Sequence, residues 1–125
     1  MAPNILATSN NYSIEHEYEL AYLRLPDGRK IVVGDFYGDP QAALLDADEN
    51  WCAIGGCGLI IYRLAEPFDE YAYGKPSRQY WEFNREPPSV FWIEELTQLN
   101  AHQIELRLDS GAVQVITLPN FDGSV

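Results

Sequence analysis

A chain of 125 residues, 46% apolar and 22% charged, holds enough material for one hydrophobic core and reads as a single domain over 1–125. Nineteen Asp and Glu oppose eight Lys and Arg, a formal net charge of −11. That balance argues against nucleic acid and anionic membrane as partners, since both are held by clustered Lys and Arg, and it steers basic partners inward.

Residues 1–12, polar and aperiodic around Ser9-Asn10-Asn11, are expected to fray or lie on the surface. The apolar run 18–25 stops at Pro26-Asp27-Gly28, and β-branched Ile31-Val32-Val33 follows, which predicts a hairpin. Asp39-Pro40 could open a short helix over 41–45, but that helix would end among turn formers. A strand over Ala43-Leu44-Leu45 is predicted instead, with an acidic turn at Asp46-Ala47-Asp48-Glu49-Asn50 and a strand at Trp51-Cys52-Ala53-Ile54. Gly55, Gly56 and Gly58 then bend the chain into a buried strand over 59–64.

From 65 to 88 the pattern dissolves. Pro67, Pro76, Pro87 and Pro88 interrupt it while Phe68, Tyr71, Tyr73, Tyr80, Trp81 and Phe83 load it with rings, and 79–83 can pair as an edge strand. Val90-Phe91-Trp92-Ile93 returns to the core, and 94–100 is either a helical turn or a strand end. Ile104-Glu105-Leu106-Arg107-Leu108 alternates, Asp109-Ser110-Gly111 turns, and 113–118 alternates back as a second hairpin. Both hairpins contain Leu-Arg-Leu, two residues, then Gly, which turn chemistry explains without a repeat. The fold class is mainly β: an antiparallel sandwich or partly open barrel of hairpins, with at most one or two short helices.

Chemistry-bearing motifs fail on their spacing. Asp46-x-Asp48-x-Asn50 copies the start of a calcium loop, yet Trp51 and Cys57 stand where the loop needs Gly and an acidic ligand. Cys52 and Cys57 lack two further zinc ligands, since His16 and His102 are isolated, and read as buried structural thiols. Acidic neighbours Glu15 and Glu17 make His16 a solvated ion-pair partner rather than a base. No nucleophile elbow or phosphate loop occurs. The expectation is therefore a non-enzyme without metal or cofactor.

What remains is a surface. Glu66, Asp69 and Glu70 run into Tyr71 and Tyr73, a pattern of carboxylates beside stiff rings suited to capturing a basic protein, and the turn acids Asp46, Asp48 and Glu49 extend it. Two rivals stay open: a small-molecule or sugar-binding β-barrel using Trp51, Trp81 and Trp92, and a structural subunit or homodimer.

Tyr37-Gly38-Asp39, Leu45-Asp46-x-Asp48, Trp51, Gly56 and Gly58-Leu59-Ile60-Ile61-Tyr62 resemble strings in small immunity proteins of bacterial polymorphic toxin systems. The likeness spans 33–64. It implies an antitoxin that binds and blocks a basic, nuclease-like toxin, with no shared catalytic residue to carry over. No apolar run approaches the ~20 residues of a bilayer span, and the N-terminus lacks a basic-then-apolar leader, so the expected location is the cytoplasm.

Overall fold

The apolar stretch from Trp51 to Tyr62 sets the architecture, because a strand that is apolar on both faces must be covered on both. The computed structural model describes residues 4–72, 77–83, 85 and 90–118. Among these residues there is no helix, and eleven antiparallel strands form three sheets that do not close into a barrel. In the first sheet β1 (Asn4–Thr8), β2 (Ser13–Glu17), β3 (Leu20–Arg24) and β4 (Lys30–Asp35) follow chain order. The second has β5 (Ala42–Leu45), β6 (Trp51–Gly56), β7 (Gly58–Arg63) and β8 (Tyr80–Phe83), and the third has β9 (Ile93–Asn100) flanking β10 (Gln103–Leu108), with β11 (Val113–Thr117) on its other side.

Strand alternation divides the middle hairpin between two cores. Cys52, Ile54, Ile60 and Tyr62 point to the first sheet and pack with Ile14, Ala21, Leu23 and Val33. Trp51, Ala53, Leu59 and Ile61 point the other way, onto Ile93, Ile104 and Leu106 of the third sheet. The sequence thus builds a three-layer sandwich around β6–β7.

Both predicted hairpins form, and with one turn geometry. Leu25 accepts from the Gly28 amide at 3.0 Å and donates to Arg29 at 2.9 Å; Leu108 does the same with Gly111 and Ala112 at 2.9 Å each. Gly28 and Gly111 sit at φ 92° and 90°, the left-handed position of a type I turn with a glycine bulge. The shared Leu-Arg-Leu-x-x-Gly string is a turn, as its chemistry suggested.

Residues 42–45 are strand rather than helix, 80–83 pair as the edge strand β8, and 93–100 are strand throughout. Two expectations need correction. Asn4–Thr8 is not frayed: it pairs with β2 as an edge strand, and Leu6 and Ala7 pack on the core. His16 is not solvated: it lies in the β2 interior with Nδ1 3.2 Å from the Tyr18 carbonyl, while Glu15 turns to Arg24. Cys52 and Cys57 are buried and unbridged, and burial pushes the Cys52 thiol pKa up.

Because the two faces of β7 serve different cores, Ile60→Ala and Ile61→Ala should each lose about 2–5 kcal/mol in urea unfolding. A loss below about 1 kcal/mol at either position would show that its face is not packed as described.

Candidate functional site

The two acid groups singled out by the sequence meet at one end of the middle hairpin, the end away from the Cys57 tip. There the Leu64 amide bonds the Asn50 carbonyl at 3.0 Å, joining the 46–50 turn to the 64–70 segment. Tyr12 senses both groups: its hydroxyl pKa is raised first by burial, then by the charge of Glu49 and, with Cys52, of Glu66.

Most of these carboxylates are occupied internally. Asp46 is only 2% exposed; it accepts from the Asn50 amide at 3.0 Å and from Gln98 Nε2 at 2.7 Å. Glu49, at φ 57°, accepts from Ser9 Oγ, from the Asn11 amide at 3.0 Å and from Asn11 Nδ2 at 2.7 Å. Glu66 pairs with Arg29 at 3.2 Å, and Glu70 caps the Val32 amide at 2.9 Å. Asp48 and Asp69 are exposed. Asp69 and Glu70 border a cleft of about 610 Å³, but Arg63 and Arg78 line it too, so its charges offset.

The rings of this segment are largely spent on the core. Tyr71 is buried against Tyr80 at 4.9 Å between centroids, and its hydroxyl lies 2.6 Å from both Glu82 and Arg85. Desolvation first, then the Glu82 hydrogen bond, pushes its pKa up. Tyr71 therefore offers no ring to a partner. Tyr73 lies outside the described residues. The three indoles of the sugar-binding rival share no platform either: Trp51 is buried in the second core and donates to the Ala101 carbonyl at 3.2 Å, and Trp81 is half-buried on β8.

Exposed rings and carboxylates coincide at the opposite end. Tyr37 is 78% and Trp92 44% exposed, with centroids 6.5 Å apart and planes at 64°. Beside them opens a cleft of about 280 Å³ whose lining includes Asp39, Glu94 and Asp109 and, among the described residues, no Lys or Arg. The side chains of Asp39 and Asp109 make no hydrogen bond or ion pair with the described residues, while Glu94 lies 4.0 Å from Arg107. Glu19 joins the rim by accepting from the Gly38 amide at 2.6 Å.

The backbone fixes this arrangement. Cys57, at the β6–β7 tip, bridges Trp92, and the Gly58 amide bonds the Phe91 carbonyl at 2.6 Å. The Asp109 amide bonds the Trp92 carbonyl at 2.9 Å, and the Gln41 amide bonds Gly55 at 2.8 Å. Behind the tip, buried Arg85 donates to the Cys57 carbonyl at 3.1 Å and to the Asp35 carbonyl, with its guanidinium 4.7 Å from the Phe36 ring centroid. Gly56 is needed here: a Cβ would stand 3.1 Å from the Pro40 Cα.

Tyr37 entered the sequence reading only through the resemblance, Asp39 through it and as a candidate helix cap, and Glu94 and Asp109 not at all as site residues. The available signal was adjacency to core residues: Phe36 and Ile93 are buried, and their neighbours Tyr37 and Trp92 are exposed.

No protein-family model matches the chain and no curated protein matches its sequence. What defines it is an all-β, three-sheet fold carrying an acidic, ring-bearing end.

The hydrogen bonds from Ser9 and then Asn11 hold the Glu49 carboxyl below its ordinary range. A pKa lowered by folding adds stability above the unfolded value, and that stability is lost as pH falls through the folded value. The urea-midpoint gap between the protein and Glu49→Gln should therefore be widest near neutrality and close below about pH 4, under the ordinary Glu pKa. A gap constant with pH would mean that the carboxylate charge does not hold the β1–β2 turn.

Proposed function

We propose that the chain is a non-enzymatic, acidic protein-binding module, an immunity-type inhibitor that holds a basic toxin at the Tyr37–Trp92 end. The observation that carries this reading is the coincidence of two exposed rings with two carboxylates that have no partner among the described residues. Rigid aromatic area anchors protein contacts at little entropic loss, and unpartnered carboxylates give orientation and fast capture. The net charge of −11 adds long-range attraction for a basic surface. Tyr37-Gly38-Asp39 also falls inside the 33–64 segment that resembles immunity proteins.

A nuclease toxin fits this chemistry, since its cleft is basic in order to hold phosphates. Carboxylates at the rim of the inhibitor can stand where those phosphates would lie. A standard interface of ~800 Å² per partner would reach past the cleft to the β2–β3 turn bearing exposed Tyr18. Inhibition in the cytoplasm of the toxin-producing cell follows from such a role. No catalytic residue is required.

The test uses the protein encoded beside this chain, which the reading requires to be a toxin. Co-production should restore growth, and the two proteins should co-purify. Asp39→Lys with Asp109→Lys should slow association about tenfold or more at low salt and flatten its salt dependence. Asp48→Lys with Asp69→Lys makes the same charge change at the other end and should slow it far less. Equal slowing by both pairs would reduce the role of the patch to net charge, and absence of any complex would end the reading.

A further inference from the structure

We propose that the cleft beside Tyr37 and Trp92 seats one arginine side chain of the partner, its guanidinium against the rings and between the Asp39 and Asp109 carboxylates. The inference rests on the protein-binding reading above and names the group that the site takes.

Size comes first. At about 280 Å³ the cleft falls at or below the lower bound of ligand pockets, ~300 Å³, so it suits one protruding side chain better than a free sugar or cofactor. Charge comes next. Among the described residues three carboxylates and no cation line it, so a neutral or anionic occupant would leave Asp39 and Asp109 desolvated without a counter-charge. The rings then choose among cations. A planar guanidinium stacks on aromatic faces, is weakly hydrated, and has five N–H donors with which to fork two carboxylates, whereas an ammonium is a compact and strongly hydrated point charge.

The protein already uses this pairing internally. Arg85 lies over Phe36, donates to Tyr71 and Glu82, and reaches the Cys57 carbonyl from behind. At the same tip, Trp92, Tyr37 and the two aspartates offer a guanidinium similar surroundings with no cation among the described lining residues. The rim carbonyls and amides are fixed by the bonds that join Cys57, Trp92 and Asp109, so the seat exists before the partner arrives.

The probe is Nα-acetyl-arginine methylamide, with its citrulline counterpart as the uncharged isostere and the lysine compound as the point-charge control. In ¹H–¹⁵N spectra of the whole chain, the Trp92 indole N–H and the Gly56 and Cys57 amides should shift with saturation in the millimolar range. Citrulline should leave them unmoved, and lysine should bind several-fold more weakly. Asp39→Asn with Asp109→Asn should weaken arginine binding about fivefold or more, with the remaining amide spectrum unchanged as proof of folding. Trp92→Leu, read at the Cys57 amide, should abolish saturation.

Equal shifts with citrulline would overturn the inference, as would non-saturating arginine shifts spread over all acidic turns. A chain that binds its toxin while the cleft ignores arginine overturns this inference and leaves the protein-binding reading standing. Saturating arginine uptake by a chain that recognises no toxin supports the seat and removes that reading.

Discussion

The structure depends on the middle hairpin β6–β7 being apolar on both faces. An ordinary antiparallel strand pays for one covered side and leaves the other wet, whereas here the residues of both strands are buried except Arg63 at the end. Two covering sheets follow from that fact. The first sheet takes the even-numbered side chains and the third takes the odd-numbered ones. Any slip of one residue in the β6–β7 register would exchange the two cores, which differ in side-chain shape, so the register is held from both sides.

Once the interior is committed in this way, the described acids lie at the surface, with buried Glu15 and Asp46 held by Arg24 and Gln98 as the exceptions. Eight Lys and Arg cannot neutralise them, and five of those cations are themselves paired: Arg24 with Glu15, Arg29 with Asp27 and Glu66, Lys30 with Glu17, Arg85 with Glu82, and Arg107 with Glu95. At the turn end of the hairpin Asp46, Glu49, Glu66 and Glu70 are claimed by backbone amides, polar side chains and Arg29, while Asp48 and Asp69 are exposed. At the tip end the Asp39 and Asp109 side chains have no partner among the described residues. The difference between the ends thus lies in the exposed rings that stand beside the acids of the tip rather than in acid count.

Much of the fold was legible because its signals are local. Pro26-Asp27-Gly28 and Asp109-Ser110-Gly111 mark turns whose glycines do occupy the left-handed region, and the apolar run at 59–62 marked a buried strand. β1 was missed because an edge strand needs only a little apolar contact, here from Leu6 and Ala7, and its pairing with β2 is not written in its own five residues. The ring-rich 65–88 segment misled for a different reason. A two-core sandwich needs large side chains to close its first core, and Phe68, Tyr71 and Tyr80 do that. Their density in the sequence reported packing demand, which composition cannot separate from surface display.

The Tyr37–Trp92 pair was illegible as a pair because fifty-five residues of chain separate its members. Each ring stands beside a core residue: Phe36 and Ile93 are drawn into different cores, and the adjacent Tyr37 and Trp92 are left exposed. What brings them within 6.5 Å is the shared tip, where Cys57 bridges Trp92 and the β4–β5 loop crosses Gly56. The exposed rings are therefore a consequence of burying their neighbours on the two sides of one hairpin. Moving either ring inward would require withdrawing Phe36 or Ile93 from its core. Such a site is held open by the same packing that stabilises the molecule, and this suits a surface that must meet a partner without first rearranging.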